Sequence, residues 1–384
     1  MTSLRPRIVV NKHTPMVVDV FSRIGDVVAL DTSEITRGTV RDADVLIVRS
    51  ETPVNAGLLD GSSVKFVGTV TIGEDHIDRQ YLDSRGIGFA SAPGSNSTSV
   101  AEYIVAALLT YSSRFGKPLQ DAPIGIVGCG NVGSKVIQFV KSLGMIPILN
   151  DPPLQRVSKD TAYRPLGELM DAEFITIHVP LTKSGTNPTH HLFDAQRLKA
   201  MKRGCVLLNT SRGPVVDSIA LCSVLASQHL SSAILDVWEG EPEIMVELLD
   251  RVVIGTPHIA GYSLDGKMNA LRMVYEATCR FIGEDSGGVF APDQRVRVVA
   301  VPHQSRQENI RQVVRESYNI EFDDQLLRGI RNVAPTERAT YFRKLRAEYR
   351  TRREFSTVTV GLNSNTIELK YPLQQLGFVV DLSD

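Results

Sequence analysis

Three ionisable residues, each just past a run of aliphatic residues, could together run a hydride transfer: Arg212 in LLNTSRGPVVD, Glu241 in LDVWEGEP and His258 in GTPHIAGYS. Taking hydride from a secondary alcohol carbon requires a base for the hydroxyl proton. An imidazole of ordinary pKa ~6.5 does this reversibly near neutrality, which suits His258. A carboxylate partner, Glu241, would orient the ring and favour its protonated form for the reverse reaction. The planar fork of Arg212 can bind a substrate carboxylate and stabilise charge on the reacting carbonyl oxygen. Singly, each has a blander reading as a loop histidine, a plain SRG turn or an exposed acidic turn. Their succession downstream of a nucleotide motif is what gives them weight.

That motif is Gly128-Cys129-Gly130-Asn131-Val132-Gly133, a G-x-G-x-x-G between a predicted strand and a predicted helix, with Asp151 at the end of the next strand. Gly128 permits the tight turn, Gly130 lets a pyrophosphate approach the backbone, and Gly133 lets helix pack close to strand. Amides around Asn131 and Val132 at the helix N-terminus would bind phosphate oxygens. Asp151 would accept hydrogen bonds from ribose hydroxyls. A carboxylate there repels a 2′-phosphate, and Pro152 and Pro153 follow rather than arginine, so the expected cofactor is NAD rather than NADP.

The elements that must position these residues alternate along the chain. RIVVN, DVVAL, DVLIVRS, VKFVGTV and IGFASAP read as strands buried on both faces. A long helix follows in GSNSTSVAEYIVAALLTYSSRF, with Val100, Ile104, Leu108 and Tyr111 on one stripe. A second series of strands comprises PIGIV, MIPILND, EFITIHV, CVLLNT, SAILDV and VVIGTP. Strands alternating with helices predict α/β architecture, with two Rossmann-like doubly wound parallel sheets. From Ser286 the texture changes. SGGVFAPD is linker-like, RQENIRQVVRESYNI and PTERATYFRKLRAEYRTRREF read as Arg-rich helices, and TVTVGLN and FVVDLSD as strands, which predicts a separate C-terminal α+β domain.

With 384 residues, 42% hydrophobic and 22% charged, the chain suits several globular domains rather than disorder. Forty-two basic against 43 acidic residues leave a formal charge of −1, too little field for a nucleic-acid partner. No apolar run approaches a membrane span or a signal-peptide core, so a cytoplasmic protein without membrane contact is expected. Cys129, Cys205, Cys222 and Cys279 are far apart and read as reduced, buried thiols. His178 ends a strand facing the cofactor rim or the core. His190 and His191 read as the start of a helix, and His13, His76, His229 and His303 as structural or exposed. No metal site is expected.

Taken in order, GIVGCGNVG, the acid after the second strand, LLNTSRGPVVD, DVWEGEP and TPHIAGYS resemble the D-2-hydroxy-acid dehydrogenase family. DVLIVRSETPVN, KFVGT with DHID, NDPP, HVPLTKSGTNPTHHLFD, GTPHIAGYSLDGK and the tail LRAEYRTRREF are similar to a member that handles a small phosphorylated 2-hydroxy acid. The resemblance implies a substrate domain over 1–95 with a returning segment 258–285, an NAD-binding domain over 96–257, and a dimerisation domain over 286–384 that builds a homodimer. It implies catalytic roles for Arg212, Glu241 and His258, the last as proton donor in the reduction direction. Ser50, Thr71 and Tyr262 become substrate contacts. Asn131, Val132, Asp151, Val179, the stretch Thr210, Ser211 and Arg212, and Asp236 and Gly261 take cofactor positions. The chain departs from the family pattern with Val70, Ile72 and Glu74 around Thr71, and with Val179 where a polar residue is common. A phosphorylated substrate needs further cations; Arg49, Arg346, Arg350, Arg352 and Arg353 are the candidates. Alternatives are a family member acting on a different acid, such as 3-phosphoglycerate, and a non-catalytic NAD-sensing interaction protein.

Overall fold

The β-branched runs of the first ninety residues form five parallel strands in the computed structural model, which describes residues 5–288, 296–299 and 305–382. His303 and part of the linker-like segment therefore lie outside the described residues. The chain divides into two compact units, Met1–Asn96 with Ser263–Asp293, and Ser97–Tyr262 with Gln294–Asp384.

In the first unit, β1 (Arg7–Asn11), β2 (Asp26–Leu30), β3 (Val45–Val48), β4 (Phe66–Thr69) and β5 (Gly88–Ala90) lie in the order β2-β1-β3-β4-β5. The expectation that every run is buried on both faces holds for β3 and β4 and fails at the edges. β2 and β5 have one neighbouring strand each and stay partly exposed. Helix Leu264–Ile282 returns to this sheet and rests directly on β4. A Cβ at Gly68 would stand 2.4 Å from Val274 Cγ1, so only glycine allows that approach.

In the second unit, β6 (Pro123–Val127), β7 (Ile146–Asn150), β8 (Phe174–Ile177), β9 (Val206–Asn209), β10 (Ser232–Leu235) and β11 (Ile254–Gly255) run parallel in the order β11-β10-β9-β8-β6-β7. The chain leaves β6 to one side for β7 and to the other for β8. This reversal opens a crevice beyond the carboxyl ends of β6 and β8, the place where open α/β sheets bind ligands.

Helix Ser97–Phe115 belongs to this second unit and departs from its expected single apolar stripe: residues 99–109 are all buried, round the whole circumference. Residues of the sheet and residues of the C-terminal segment, among them Ile310, Val313, Phe355 and Leu373, share one continuous core with the helix. The C-terminal segment adds β12 (Val296–Val299), β13 (Val358–Leu362) and β14 (Val379–Leu382), a parallel sheet in that order. β12 was not anticipated from the sequence. The Arg-rich stretch read as one helix ends at Ala347, so Arg350, Arg352 and Arg353 follow it in irregular chain. No described helix is long and apolar enough to cross a membrane.

Candidate active site

The glycine turn sits at the carboxyl end of β6, against the chain leaving β8. Gly128 has φ +89°, and a Cβ there would meet the His178 carbonyl oxygen at 2.7 Å and Val179 Cγ1 at 2.9 Å. A Cβ on Gly133 would lie 2.0 Å from the Gly128 oxygen, so the helix Asn131–Ser142 starts hard against the turn. Gly130 differs: a Cβ there would meet no protein atom within 4 Å. Its surroundings are open and the helix N-terminus follows it, which fits a pyrophosphate. The Asp151 carboxylate accepts the Cys129 N–H at 2.8 Å on one oxygen and caps the next helix through the Leu154 N–H at 2.9 Å on the other. It ties the turn to β7, and each oxygen keeps a lone pair for a ribose hydroxyl. Burial pushes the His178 imidazole down to about 3, so this ring is neutral; Thr176 Oγ1 lies 2.9 Å from its Nε2.

Arg212, Glu241 and His258 follow β9, β10 and β11. Buried Asn209 staples the SRG turn: its Oδ1 accepts the Ser211 N–H and hydroxyl at 3.0 and 2.9 Å, and its Nδ2 donates to the Arg212 carbonyl at 3.0 Å. At Gly213 a Cβ would fall 2.0 Å from the Trp238 carbonyl, so the loop after β9 lies directly on the loop carrying Glu241. His258 Nδ1 is 2.8 Å from Glu241 Oε2, and Glu241 Oε1 accepts the Trp238 N–H at 2.7 Å. A carboxylate only accepts, so Nδ1 carries a proton, and in the neutral form of the ring the lone pair lies on Nε2. Burial raises the Glu241 carboxyl, but the His258 imidazolium and its hydrogen bond, the Trp238 N–H and the Arg346 charge outweigh it and hold the group below its ordinary value.

His258 has φ +58°, a conformation costly for a residue with a Cβ, and a dense set of bonds holds it there. Its N–H donates to the Asp236 carbonyl at 2.7 Å. The Asp236 carboxylate, almost fully buried, accepts the Ile259 and Ala260 N–H groups, both at 2.8 Å, and the Thr256 hydroxyl at 2.6 Å. Desolvation raises the Asp236 carboxyl against these donors and the His258 charge. Thr256 is backed in turn by the Tyr103 hydroxyl at 2.7 Å, and its carbonyl accepts the Trp238 indole N–H at 2.9 Å. Asp236, which the sequence expects beside the cofactor, thus also braces the His258 loop.

Three side chains of the C-terminal segment reach the same stretch, and sequence reasoning foresaw none of these contacts. Asp324 accepts the Gly255 N–H at 2.8 Å. Arg352 donates to the Ala260 carbonyl at 3.0 Å, and Arg346 to the Tyr262 hydroxyl at 3.1 Å. Arg352 corrects its reading as a phosphate candidate. It is buried, paired with Glu102 at 3.3 Å, bonded to the Ser99 carbonyl at 2.7 Å and stacked on Tyr318. Arg350 is likewise engaged, by Asp323 and the Asn319 carbonyl. The one available signal was Glu102, a charge inside the apolar run VAEYIVAALL.

In the first unit, Ser50 is exposed after β3, beside the Arg49–Glu51 pair. The Thr71 hydroxyl lies 2.7 Å from Thr69 Oγ1 and donates to the Gly73 carbonyl at 3.0 Å. His190 and His191 lie in a turn and begin no helix, which starts only at Ala195. Their ring nitrogens and a Glu239 oxygen gather within 4.8 Å, but Glu239 already accepts from His191 and from the Ser218 N–H. All four cysteines are free and buried.

Residues 100–260 match the family model of the D-isomer specific 2-hydroxyacid dehydrogenase NAD-binding domain, and residues 290–377 match a domain of unknown function. The chain is 43% identical to an erythronate-4-phosphate dehydrogenase from Salinibacter ruber, over 94% of either chain. It is 39% identical to one from Marinobacter nauticus, over 97% of this chain and 98% of that protein. Among solved structures, the Staphylococcus aureus NAD-dependent formate dehydrogenase in complex with NAD aligns with TM-score 0.60 and 26% identity, over 72% of this chain and 95% of its own. An Aquifex aeolicus D-lactate dehydrogenase complexed with NAD and lactic acid aligns at 0.59 and 25%, with the same coverage.

Proposed function

This chain belongs to the D-isomer-specific 2-hydroxyacid dehydrogenase family, and from that premise we propose that it oxidises 4-phospho-D-erythronate to (R)-3-hydroxy-2-oxo-4-phosphooxybutanoate, the erythronate-4-phosphate dehydrogenase step of vitamin B6 biosynthesis. The observation that carries the chemistry is the His258–Glu241 pair, with Nδ1 fixed on the carboxylate and the basic Nε2 left for substrate. Nε2 takes the proton of the C2 hydroxyl, and Glu241 stabilises the resulting imidazolium. Arg212 holds the substrate carboxylate and steadies the carbonyl oxygen that forms. NAD, when bound, supplies the hydride acceptor; Gly128, Gly130, Asn131, Val132, Gly133 and Asp151 would hold it, with Val179, Thr210, Ser211, Arg212, Asp236 and Gly261 at its rim. Ser50, Thr71 and Tyr262 are the proposed substrate contacts.

The reading also takes the enzyme as a cytoplasmic homodimer joined through the C-terminal segment, whose exposed Ile367, Tyr371 and Leu382 supply apolar surface. Sedimentation at micromolar concentration should return twice the chain mass. The activity is tested by following NADH formation with phosphorylated and unphosphorylated 2-hydroxy acids, for wild type and His258→Ala. Wild type should prefer 4-phospho-D-erythronate and the variant should lose ~10²–10⁴-fold in kcat. Wild type that binds NAD yet oxidises no acid would overturn the reading.

A further inference from the structure

We propose that Arg346 is a specificity-determining residue, a cation supplied by the C-terminal segment that binds the substrate's phosphate beside Tyr262. The inference rests on the substrate reading above and deepens it. A dianionic phosphate on C4, two carbons from the C2 that loses hydride, needs a cation near the acid–base pair but distinct from Arg212, which the carboxylate occupies.

Tyr262 meets the positional requirement. Its N–H donates to the Ile259 carbonyl at 2.8 Å, so the chain folds back within a turn of His258 and sets the phenol close to the catalytic loop. Arg346 Nη2 donates to that phenol at 3.1 Å, and its guanidinium carbon lies 5.7 Å from the ring centroid. Tyr349 packs edge-on against the same ring, with centroids 5.9 Å apart, and fixes it from the other element. Arg346 is half-buried, and its charge is felt at Glu241, the partner of His258. An anion bound there would meet a partly desolvated guanidinium, where charge-assisted bonds are strongest.

Of the neighbouring arginines, Arg350 and Arg352 do not compete for this role. Arg350 is spent on Asp323, and Arg352 on Glu102 and two carbonyls. Arg346 alone among these three touches a proposed substrate contact.

The test compares wild type, Arg346→Gln and Arg346→Lys, each with NAD, on 4-phospho-D-erythronate and on D-erythronate. The Gln variant should lose on the order of 10²-fold in kcat/KM for the phosphorylated acid, mostly through KM, and at least about tenfold less than that for D-erythronate; Lys should recover part of the loss. In parallel, inorganic phosphate is titrated calorimetrically, with oxalate present to fill the Arg212 site. Binding to wild type should weaken at least tenfold in the Gln variant. Equal losses on both acids, or phosphate binding unchanged by Arg346→Gln, would overturn the proposal. The phosphate arm reads out even if wild type fails to oxidise 4-phospho-D-erythronate, which would defeat the substrate reading alone.

Discussion

The turn 128–133 and the loop 256–262 both end strands of one sheet, yet they are shaped by opposite means. The turn is made by removing side chains: at Gly128 and Gly133 a Cβ would collide with backbone, and at Gly130 the space stays open. The loop is made by adding buried polar side chains, with Asp236, Asp324 and Arg352 bonding backbone groups around His258 and Thr256 bonding the Asp236 carboxylate. A cofactor that presents phosphates needs bare amides. A base that must hold an unfavourable φ needs a scaffold that over-determines it. The first device is local in sequence and the second is distributed over the chain.

The comparison can be broken most forcefully at Arg352. Arg352→Met leaves Glu102 buried without its cation and should destabilise the second unit by ~3–5 kcal/mol, measured by denaturant unfolding. Adding Glu102→Leu should return much of that loss, and a double mutant no more stable than Arg352→Met would contradict the pairing. The turn is sharpened next. Gly133→Ala should cost ~1–3 kcal/mol, because the new methyl meets a carbonyl rather than a flexible side chain, and NAD affinity should fall with it. Gly130→Ala is its control: stability unchanged, NAD affinity reduced.

The smallest effect concerns pH. Glu241→Gln should remove a pH-dependent part of the stability, read as the difference in unfolding free energy between wild type and variant across the acid range. The folded Glu241 carboxyl lies below its unfolded value, so its contribution is present above the unfolded pKa and lost as pH falls through the folded one. A difference that does not shrink on acidification would contradict the ionised pairing of Glu241 with His258.

What the sequence made legible follows the same division. The glycine spacing, the acid after β7 and the three residues after β9, β10 and β11 each carry a local pattern, and the structure sets Glu241 and His258 in hydrogen-bond contact. The interior strands were readable because burial selects β-branched residues; the edge β2 was over-read because the same residues tolerate partial exposure. Arg352 was illegible. It looks like one more arginine in a basic tail, and nothing in its neighbours announces a partner 250 residues away. Glu102 was readable in principle, since a carboxylate amid VAEYIVAALL demands a counter-charge. The position of Asp236 after a strand is visible in the sequence, while its bonds to the His258 loop are not.

The bond from Arg352 to the Ala260 carbonyl spans 92 positions. Chains are made from the N-terminus, and early segments fold first. A nascent chain could thus assemble its glycine turn while the acid–base loop still lacks its last support. The proton-transfer loop thus gains this support late in synthesis, and a chain cut before residue 352 lacks the bond that holds the Ala260 carbonyl.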